Sequence, residues 1–209
     1  MIKAILFDFD GVLTVEKTGS GAITAYLAKS CGIPIDKVKA GYGKYNKGLL
    51  CGEYTHEDIL RDLGKELGKK ITYAQLQEAF LQVTIDEKII NLIKDWKKSY
   101  KTGMITDNKV DRIAVISEKF ELGQFFDVVS VSAAFHSGKK ESLIFEETIK
   151  RLNVQPEECI FIDNTKENLI VPEKMGMAVI HFDDEGRDSE KFQKRVEEII
   201  SQRLEKFIK

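Results

Sequence analysis

IKAILFDFDGVLT, residues 2–14, sets the architecture of the chain. Its apolar run has no alternating polar positions, which is typical of a strand buried on both faces. The run ends in Asp8, Asp10 and Gly11, and the carboxyl ends of parallel strands border the crevice in which such sheets bind ligands. Asp8 and Asp10 are two residues apart, so an extended chain places both carboxylates on one side, within reach of a shared divalent cation or substrate oxygen. The pair could equally form a helix N-cap with an acidic first turn.

Length, charge and cysteine content argue against several classes of protein. The 209 residues suffice for one domain with a well-buried core, or for a modest core plus an inserted subdomain. The formal charge of −2 is spread along the chain, so binding to nucleic acid is not expected. Because no apolar run could span a bilayer and the N-terminal residues lack a secretory pattern, we expect a cytoplasmic protein that makes no membrane contact. Cys31, Cys51 and Cys159 are expected to be reduced thiols.

Helical patterns without a convincing strand follow the first strand as far as the middle of the chain. A crossover between parallel strands usually needs only one helix, so the surplus predicts an inserted helical domain at residues 16–85. The core domain would then consist of residues 1–15 and 86–209. Because the insert leaves the core shortly after Asp10, we expect it to form a lid over the acid pair.

Strands and helices alternate in the second half of the chain. The strands are predicted at residues 101–106, 126–131, 158–163 and 177–182. The helices are predicted at residues 110–120, 143–152 and 166–175, with a last one from residue 189. This alternation after a buried first strand predicts an α/β fold, a doubly wound parallel sheet with helices on both faces.

Polar side chains follow several of these strands at the point where each strand ends. Asp8 and Asp10 follow the first strand, Thr106 the second and Asp163 the fourth, while Lys139 lies in the loop region after the third. Each has an ordinary alternative role: the hydroxyl and the later carboxylate could cap helices, and the lysine could be solvated. A whole set at one sheet edge is hard to obtain from packing alone, so we expect a site for phosphate or magnesium there.

Four motifs of the chain resemble those of the haloacid dehalogenase superfamily, in its branch with a helical cap inserted after the first strand. They are DFDGV at residues 8–12, GMIT at 103–106, Lys139 ahead of Ile144-Phe145, and IDNTKEN at 162–168. Together they span nearly the whole chain, and the acid-x-acid motif is the most specific of them. The resemblance implies a Rossmann-like core with a small helical cap domain.

The resemblance also implies roles for the acids. Asp8 would be the nucleophile that attacks phosphorus, and Asp10 the general acid and base, a residue that dehalogenase relatives lack. Mg²⁺ would be bound by Asp8, by the backbone carbonyl of Asp10 and by Asp163. Asn164 stands where relatives often have a second acid and could hold a metal-bound water, while Asn168 is expected to orient a ligand rather than to bind metal.

The same resemblance assigns the groups that would bind the phosphate. Thr106 and Lys139 would contact its nonbridging oxygens, together with backbone N–H groups of the turns at Asp10 and Asp107. We expect the carboxylate of Asp107 to face away from the phosphate, which it would repel. Lys139 is followed by Lys140 where many relatives have proline, so Lys140 stays an alternative for the phosphate-binding lysine.

The inserted segment is expected to contribute to substrate specificity. Capping boxes at Thr55 and Thr72 predict the starts of two of its helices. The glycines between residues 41 and 48 predict a weak or broken helix, either a mobile loop or a flexible stretch that contacts the leaving group. The candidates for such contacts, including one at the cap hinge, are Glu16, Tyr42, Lys44, Tyr45 and Lys47.

These patterns lead to one main hypothesis about function and two alternatives. The chain is expected to be a Mg²⁺-dependent phosphomonoester phosphatase that acts on a small phosphorylated metabolite through an aspartyl-phosphate intermediate, as a monomer or weak homodimer. A sugar phosphomutase would use the same residues but exclude water from the intermediate. A noncatalytic phosphate-responsive regulatory module is the alternative from a different class, because fold alone does not establish function.

Overall fold

A computed structural model describes residues 1–208, with side chains described as far as residue 205. The elements, in chain order, are β1 Ala4–Phe7, α1 Gly19–Cys31, α2 Ile35–Cys51, α3 His56–Leu67, α4 Tyr73–Phe80, α5 Glu87–Trp96, β2 Lys101–Thr106, α6 Val110–Phe120, β3 Val128–Val131, α7 Ser132–Phe135, α8 Leu143–Leu152, β4 Cys159–Asp163, α9 Ile170–Lys174, β5 Ala178–His181 and α10 Ser189–Ile208. No helix within the described part of the chain is both long and apolar enough to cross a membrane.

The five strands form one parallel sheet in the order β3-β2-β1-β4-β5. The first strand is therefore central, and Phe7 at its end pairs with Met104 of β2 and with Ile162 of β4. All strand ends that carry the predicted polar residues consequently lie at one edge. The predicted α/β class and parallel sheet are confirmed.

Alternate residues of the central strands pack into two separate hydrophobic cores, one on each face of the sheet. Ile5 and Phe7 belong to the core that also contains residues of α5, α6 and α10. Ala4 and Leu6 point to the other core, which contains residues of α8. Every residue of β1 is buried, as expected for a strand covered on both faces.

The four helices α1 to α4 build a hydrophobic core of their own from residues 23–80. Two chain segments join these helices to the sheet, and they lie side by side. The N–H of Val15 donates to Thr84 O (2.9 Å), and that of Asp86 donates to Leu13 O (2.9 Å). Both observations accord with the predicted division at residues 15 and 86, which stays a prediction. Lys209, the end of the predicted core domain, lies outside the described residues.

The glycine-rich stretch between residues 41 and 48 is helical, so the predicted break or loop there is wrong. It lies within the continuous 17-residue helix α2. The glycines serve packing: a Cβ on Gly41 would lie 3.1 Å from Leu67 of α3, and one on Gly48 would lie 2.3 Å from the ring of Tyr54. Close packing against these side chains outweighs the low helix propensity of glycine.

Both predicted capping boxes are confirmed. The hydroxyl of Thr55 accepts from the N–H of Asp58, and that of Thr72 accepts from the N–H of Gln75. The predicted helix at residues 166–175 is instead a 3₁₀ turn at Lys166–Leu169 followed by the short α9.

Arg187, in the segment after β5, fixes the turn that follows the acid pair. Its guanidinium donates to the backbone carbonyls of Gly11 (2.9 Å), Val12 (2.8 Å) and Thr14 (3.1 Å). The same group pairs with the carboxylate of Asp86 at 2.8 Å. One mostly buried side chain thus connects the acid-bearing turn to Asp86, where the chain returns from the inserted helices to the core.

We predict that Arg187→Met lowers the free energy of unfolding by about 2–4 kcal/mol, because three carbonyls and a carboxylate lose their charged donor. Urea denaturation followed by circular dichroism measures the change. Lys194→Met, at an exposed lysine of α10, is the matched control and should change the free energy of unfolding by less than about 0.5 kcal/mol. Equal effects of the two substitutions would contradict this account of the turn.

Candidate active site

Lys139 joins the ends of two neighbouring strands. Its ammonium Nζ lies 2.7 Å from Asp8 Oδ1, directly after β1, and 2.6 Å from Asp163 Oδ2, at the end of β4. The lysine side chain is almost completely buried, as are both carboxylates. Lys140 is exposed, so the structure favours Lys139 over Lys140 as the lysine of the site.

Further hydrogen bonds fix the two carboxylates in place. Asp8 Oδ1 also accepts from the N–H of Phe9 at 2.7 Å. Asp163 Oδ1 accepts from the N–H of Thr165 at 2.7 Å, and the Asn168 amide donates to both Asp163 oxygens at 3.1 and 3.2 Å. These contacts agree with the expectation that Asn168 orients Asp163.

Burial shapes the electrostatics of this group. It raises the pKa of Asp8 to about 8, although the adjacent Lys139 ammonium opposes the shift. Burial also works against the ammonium form of Lys139, but the negative charges of Asp8, Asp163 and Asp107 outweigh it and raise the pKa of the lysine. Lys139 therefore stays a cation between two acidic side chains, and further positive charge beside Asp8 would favour the ionised form of that residue.

Asp10 is held by a second buried cation, Arg112 of α6. The two terminal nitrogens of the guanidinium donate to the two carboxylate oxygens, each at 2.8 Å, and Asn108 Nδ2 adds a third bond at 2.9 Å. Bidentate pairing of this kind fixes the plane of the carboxylate as well as its position. Sequence reasoning missed Arg112 and Asn108. Their closeness in sequence to Thr106, the last residue of β2, is the one feature that could have indicated them.

Arg112 is held in turn by the start of the inserted segment. A Cβ on Gly19, the first residue of α1, would lie 2.2 Å from the guanidinium carbon Cζ. Only a residue without a side chain allows α1 to approach this closely. The first inserted helix therefore packs directly on the side chain that orients Asp10.

The residues after β2 line the same site. Thr106 is buried, and its Oγ1 accepts from Asn108 Nδ2 at 3.2 Å. Asp107 Oδ1 accepts from the backbone N–H of Lys139 at 2.9 Å. The Asp107 carboxylate is thus engaged by the Lys139 loop, while its orientation away from a bound phosphate stays a prediction.

Gly11 allows Asn164 to approach the acid-bearing turn. Gly11 has φ +83°, and a Cβ on it would lie 2.3 Å from Asn164 Nδ2. That amide nitrogen donates to Asp184 Oδ2 at 2.9 Å, and Asp184 also pairs with Lys17 at 3.2 Å. Asp184 is a further acid near the site that sequence reasoning missed, because it lies in the loop after β5 outside any motif.

A cavity of about 300 Å³ lies between the strand ends and the inserted helices. From the core it is lined by Asp8, Asp10, Thr106, Asp107, Lys109, Lys139, Asn164, Thr165 and Asn168, and from the insert by residues 17–20, Asn46 and Leu50. All predicted core residues of the site except Asp163 contribute to its wall, and Asp163 contacts the wall residue Lys139 at 2.6 Å. The inserted helices thus form one wall of the cavity, and their action as a lid stays a prediction.

The five specificity candidates of the insert do not contribute to this wall in the described structure. Tyr42 is buried in the insert, where its hydroxyl and His56 Nε2 form a 2.7 Å hydrogen bond. Because α2 is a regular helix, the residues that line the cavity are Asn46 and Leu50, which are four positions apart and share a face. Residues 41–48 thus form a helix and not a loop, and the stretch reaches the cavity through Asn46 instead of through the candidates Tyr42, Lys44, Tyr45 and Lys47.

The other four candidates have different contacts. Lys44 pairs with an acid of α3, Tyr45 packs edge to face on Tyr54, and Lys47 is exposed. Glu16 accepts from the N–H and the hydroxyl of Thr84 at 2.7 and 2.8 Å. Glu16 is thus a structural residue of the hinge.

The oxygen donors of the site fit a small hard cation. Asp8 and Asp163 present carboxylates within 2.7 Å of one ammonium. In the described side chains no hydrogen bond reaches the second oxygen of Asp8. No group of three or more His, Cys, Asp and Glu side chains among the described residues could hold a metal ion. The expected ligand set uses two carboxylates and the Asp10 backbone carbonyl, so it requires no such group.

Comparison with known proteins places the chain in a family. A model of the haloacid dehalogenase-like hydrolase family matches residues 2–176. The chain is 30% identical over 201 residues to a glyceraldehyde 3-phosphate phosphatase of Pyrococcus furiosus, covering 87% of this chain and 80% of that protein. It is 23% identical over 189 residues to a D-ribitol-5-phosphate phosphatase of Bacteroides thetaiotaomicron, covering 84% and 89%.

The fold is also similar to solved structures. A variant of a HAD family enzyme from Bacteroides thetaiotaomicron, crystallised with magnesium and inorganic phosphate, superposes with a TM-score of 0.73 at 18% identity, covering 88% of this chain and 95% of that one. The family model and the named relatives agree, and the chain belongs to the haloacid dehalogenase-like hydrolase family.

Proposed function

We propose that the chain is a Mg²⁺-dependent phosphatase that hydrolyses the phosphate monoester of a small metabolite through an aspartyl-phosphate. The observation that carries this proposal is the convergence of Asp8, Asp163 and Lys139 beside Thr106 in one cavity. Relatives named as phosphatases of glyceraldehyde 3-phosphate and of D-ribitol 5-phosphate support both the reaction and the size of the substrate.

Asp8 is the nucleophile of the proposed reaction. One of its carboxylate oxygens forms a bond to phosphorus while the bond from phosphorus to the ester oxygen breaks. Thr106 and Lys139 bind the nonbridging oxygens, whose charge increases toward the transition state. Water then attacks the phosphorus, and the bond to Asp8 breaks to release inorganic phosphate and restore the carboxylate.

Asp10 transfers the protons of both steps. In the first step it gives a proton to the leaving alcohol oxygen, and in the second it takes a proton from the attacking water. Protonation removes the negative charge of Asp10, so it weakens the two charge-assisted bonds that the carboxylate accepts from Arg112. Arg112 is a positioning residue that presents Asp10 to the cavity.

Mg²⁺ would be bound by Asp8, by the backbone carbonyl of Asp10 and by Asp163. When bound, it supplies positive charge that offsets the repulsion between the Asp8 carboxylate and a phosphate dianion. The buried carboxylates, one with a raised pKa, are the local reason that such charge would be favoured. The relative crystallised with magnesium and inorganic phosphate supports this choice of ion.

We predict that wild-type protein releases phosphate from para-nitrophenyl phosphate with Mg²⁺ and that Asp8→Asn lowers kcat by about a hundredfold or more, because an amide cannot form the acyl phosphate. Chelation of Mg²⁺ should abolish turnover, and its return should restore it. Asp95→Asn, at an exposed aspartate paired with Lys98, is the control and should leave kcat unchanged. Full activity of Asp8→Asn, or no turnover by wild type on a broad panel of phosphate esters, would refute the proposed function.

We further predict that Gly19→Ala lowers kcat/KM by about tenfold or more, because the new methyl group displaces the guanidinium that orients Asp10. Gly43→Ala in α2 is the matched control, since a Cβ there would meet nothing within 4 Å. Steady-state kinetics of the three proteins make the comparison. Unchanged kcat/KM in Gly19→Ala would show that the position of Arg112 does not govern catalysis.

A further inference from the structure

Lys109 is a buried lysine at the boundary between the core and the inserted helices. It follows Asn108 in the loop after β2, and only 3% of its surface is exposed. Its Nζ donates to Ser20 Oγ of α1 at 2.8 Å, and the Ser20 hydroxyl donates to Asn46 Oδ1 of α2 at 2.8 Å. All three residues line the cavity of the candidate active site. Core and insert thus contribute jointly to one polar group, here termed the Lys109 cluster.

Lys109 differs from the other buried cations of the described chain in having no carboxylate within ion-pair distance. Lys139 contacts Asp8 and Asp163, and Arg112 contacts Asp10. Burial and the positive charge of Arg112 lower the pKa of Lys109 to about 8, although Asp10 and Asp111 oppose the shift from a greater distance. A buried ammonium without a paired carboxylate is stabilised by any hydrogen-bond acceptor that contacts it.

The Lys109 cluster offers donors that the protein does not use. An ammonium has three N–H bonds, and Ser20 Oγ is the one hydrogen-bond acceptor that Lys109 Nζ meets among the described residues. The face of the Tyr42 ring lies 5.9 Å from Nζ and makes a weaker cation–π contact, which leaves N–H bonds without an oxygen acceptor. The carbonyl oxygen of Asn46 accepts from Ser20, while no acceptor in the described structure meets its amide nitrogen. The cavity wall therefore presents spare N–H groups, which complement oxygen atoms and not apolar or basic groups.

The position of the Lys109 cluster identifies the part of the substrate that would meet it. Asn108, the neighbour of Lys109, contacts Asp10, which protonates the leaving oxygen in the proposed reaction. Gly19, the neighbour of Ser20, packs on Arg112, which holds the same Asp10. The cluster thus adjoins the residues that hold Asp10, and in the proposed reaction the leaving alcohol lies on that side of the phosphate.

Resting on the proposed function, we infer that Lys109, Ser20 and Asn46 form the leaving-group subsite and select phosphate esters of short alcohols that carry further acceptor oxygens. Hydroxyl, carbonyl and carboxylate oxygens share the required chemistry. The ammonium would contact them directly, and Ser20 would keep Lys109 and Asn46 aligned. Lys109 is therefore a residue for specificity rather than for the chemical step.

The test compares Lys109→Met with wild type on phosphate esters of similar length. Glycerol 3-phosphate, glyceraldehyde 3-phosphate and 3-phosphoglycerate carry the three kinds of oxygen, and propyl phosphate carries none. We expect wild type to prefer at least one oxygenated ester over propyl phosphate by about tenfold. Lys109→Met should lower kcat/KM for that ester by about 10- to 100-fold, while kcat/KM for propyl phosphate changes less than about threefold. The ester that wild type prefers identifies whether the site binds a hydroxyl, a carbonyl or a carboxylate oxygen.

Two further variants keep the test informative. Lys119→Met, at an exposed lysine of α6, should resemble wild type on every ester. Asn46→Ala leaves Lys109 in place and should weaken the preference for the oxygenated ester by a smaller factor. This variant replaces Lys109→Met in the test if circular dichroism shows that Lys109→Met does not fold. Equal losses on all four esters, or an unchanged preference in both variants, would overturn the inference while wild-type turnover still supports the proposed function. Absence of turnover by wild type on any ester would remove both.

Discussion

The contact of one buried ammonium with two carboxylates is the interaction on which the site depends. Lys139 meets Asp8 and Asp163 only because β1 and β4 are neighbours in the sheet and Phe7 is in register with Ile162. Removing any of these three groups would leave the others buried and incompletely paired, which is costly away from solvent. The pairing of β1 with β4 thus brings together the side chains on which the chemistry of the cavity depends.

The inserted helices take part in this arrangement beyond covering it. Gly19 packs on Arg112, so the placement of α1 governs the orientation of Asp10. Ser20 and Asn46 meet Lys109 across the same boundary. Motion of the insert relative to the sheet would therefore change both the position of Asp10 and the cavity wall formed by the Lys109 cluster. This coupling follows from side-chain contacts and needs no long-range pathway.

The sequence was sufficient to predict the sheet, most helices and the acids of the site, because these depend on local patterns. A buried apolar run followed by acids places Asp8 at a strand end, and capping boxes define where α3 and α4 begin. The roles of Arg112 and Lys109 depend on which residues of the insert lie near them. A basic residue at or after the start of a helix does not indicate such distant contacts in the sequence. Tyr42 was misassigned because an aromatic residue near glycines suits either a contact loop or a hydrophobic core.

The most direct measurement of the central claim is a crystal structure of the protein with Mg²⁺ and beryllium fluoride, which mimics a phosphoryl group on a carboxylate. The account predicts beryllium bonded to a carboxylate oxygen of Asp8, with fluorine atoms contacted by Thr106 and by Lys139. It also predicts Mg²⁺ on Asp8, on the backbone carbonyl of Asp10 and on Asp163. Beryllium fluoride bound elsewhere, or Mg²⁺ bound without Asp163, would contradict the arrangement described above.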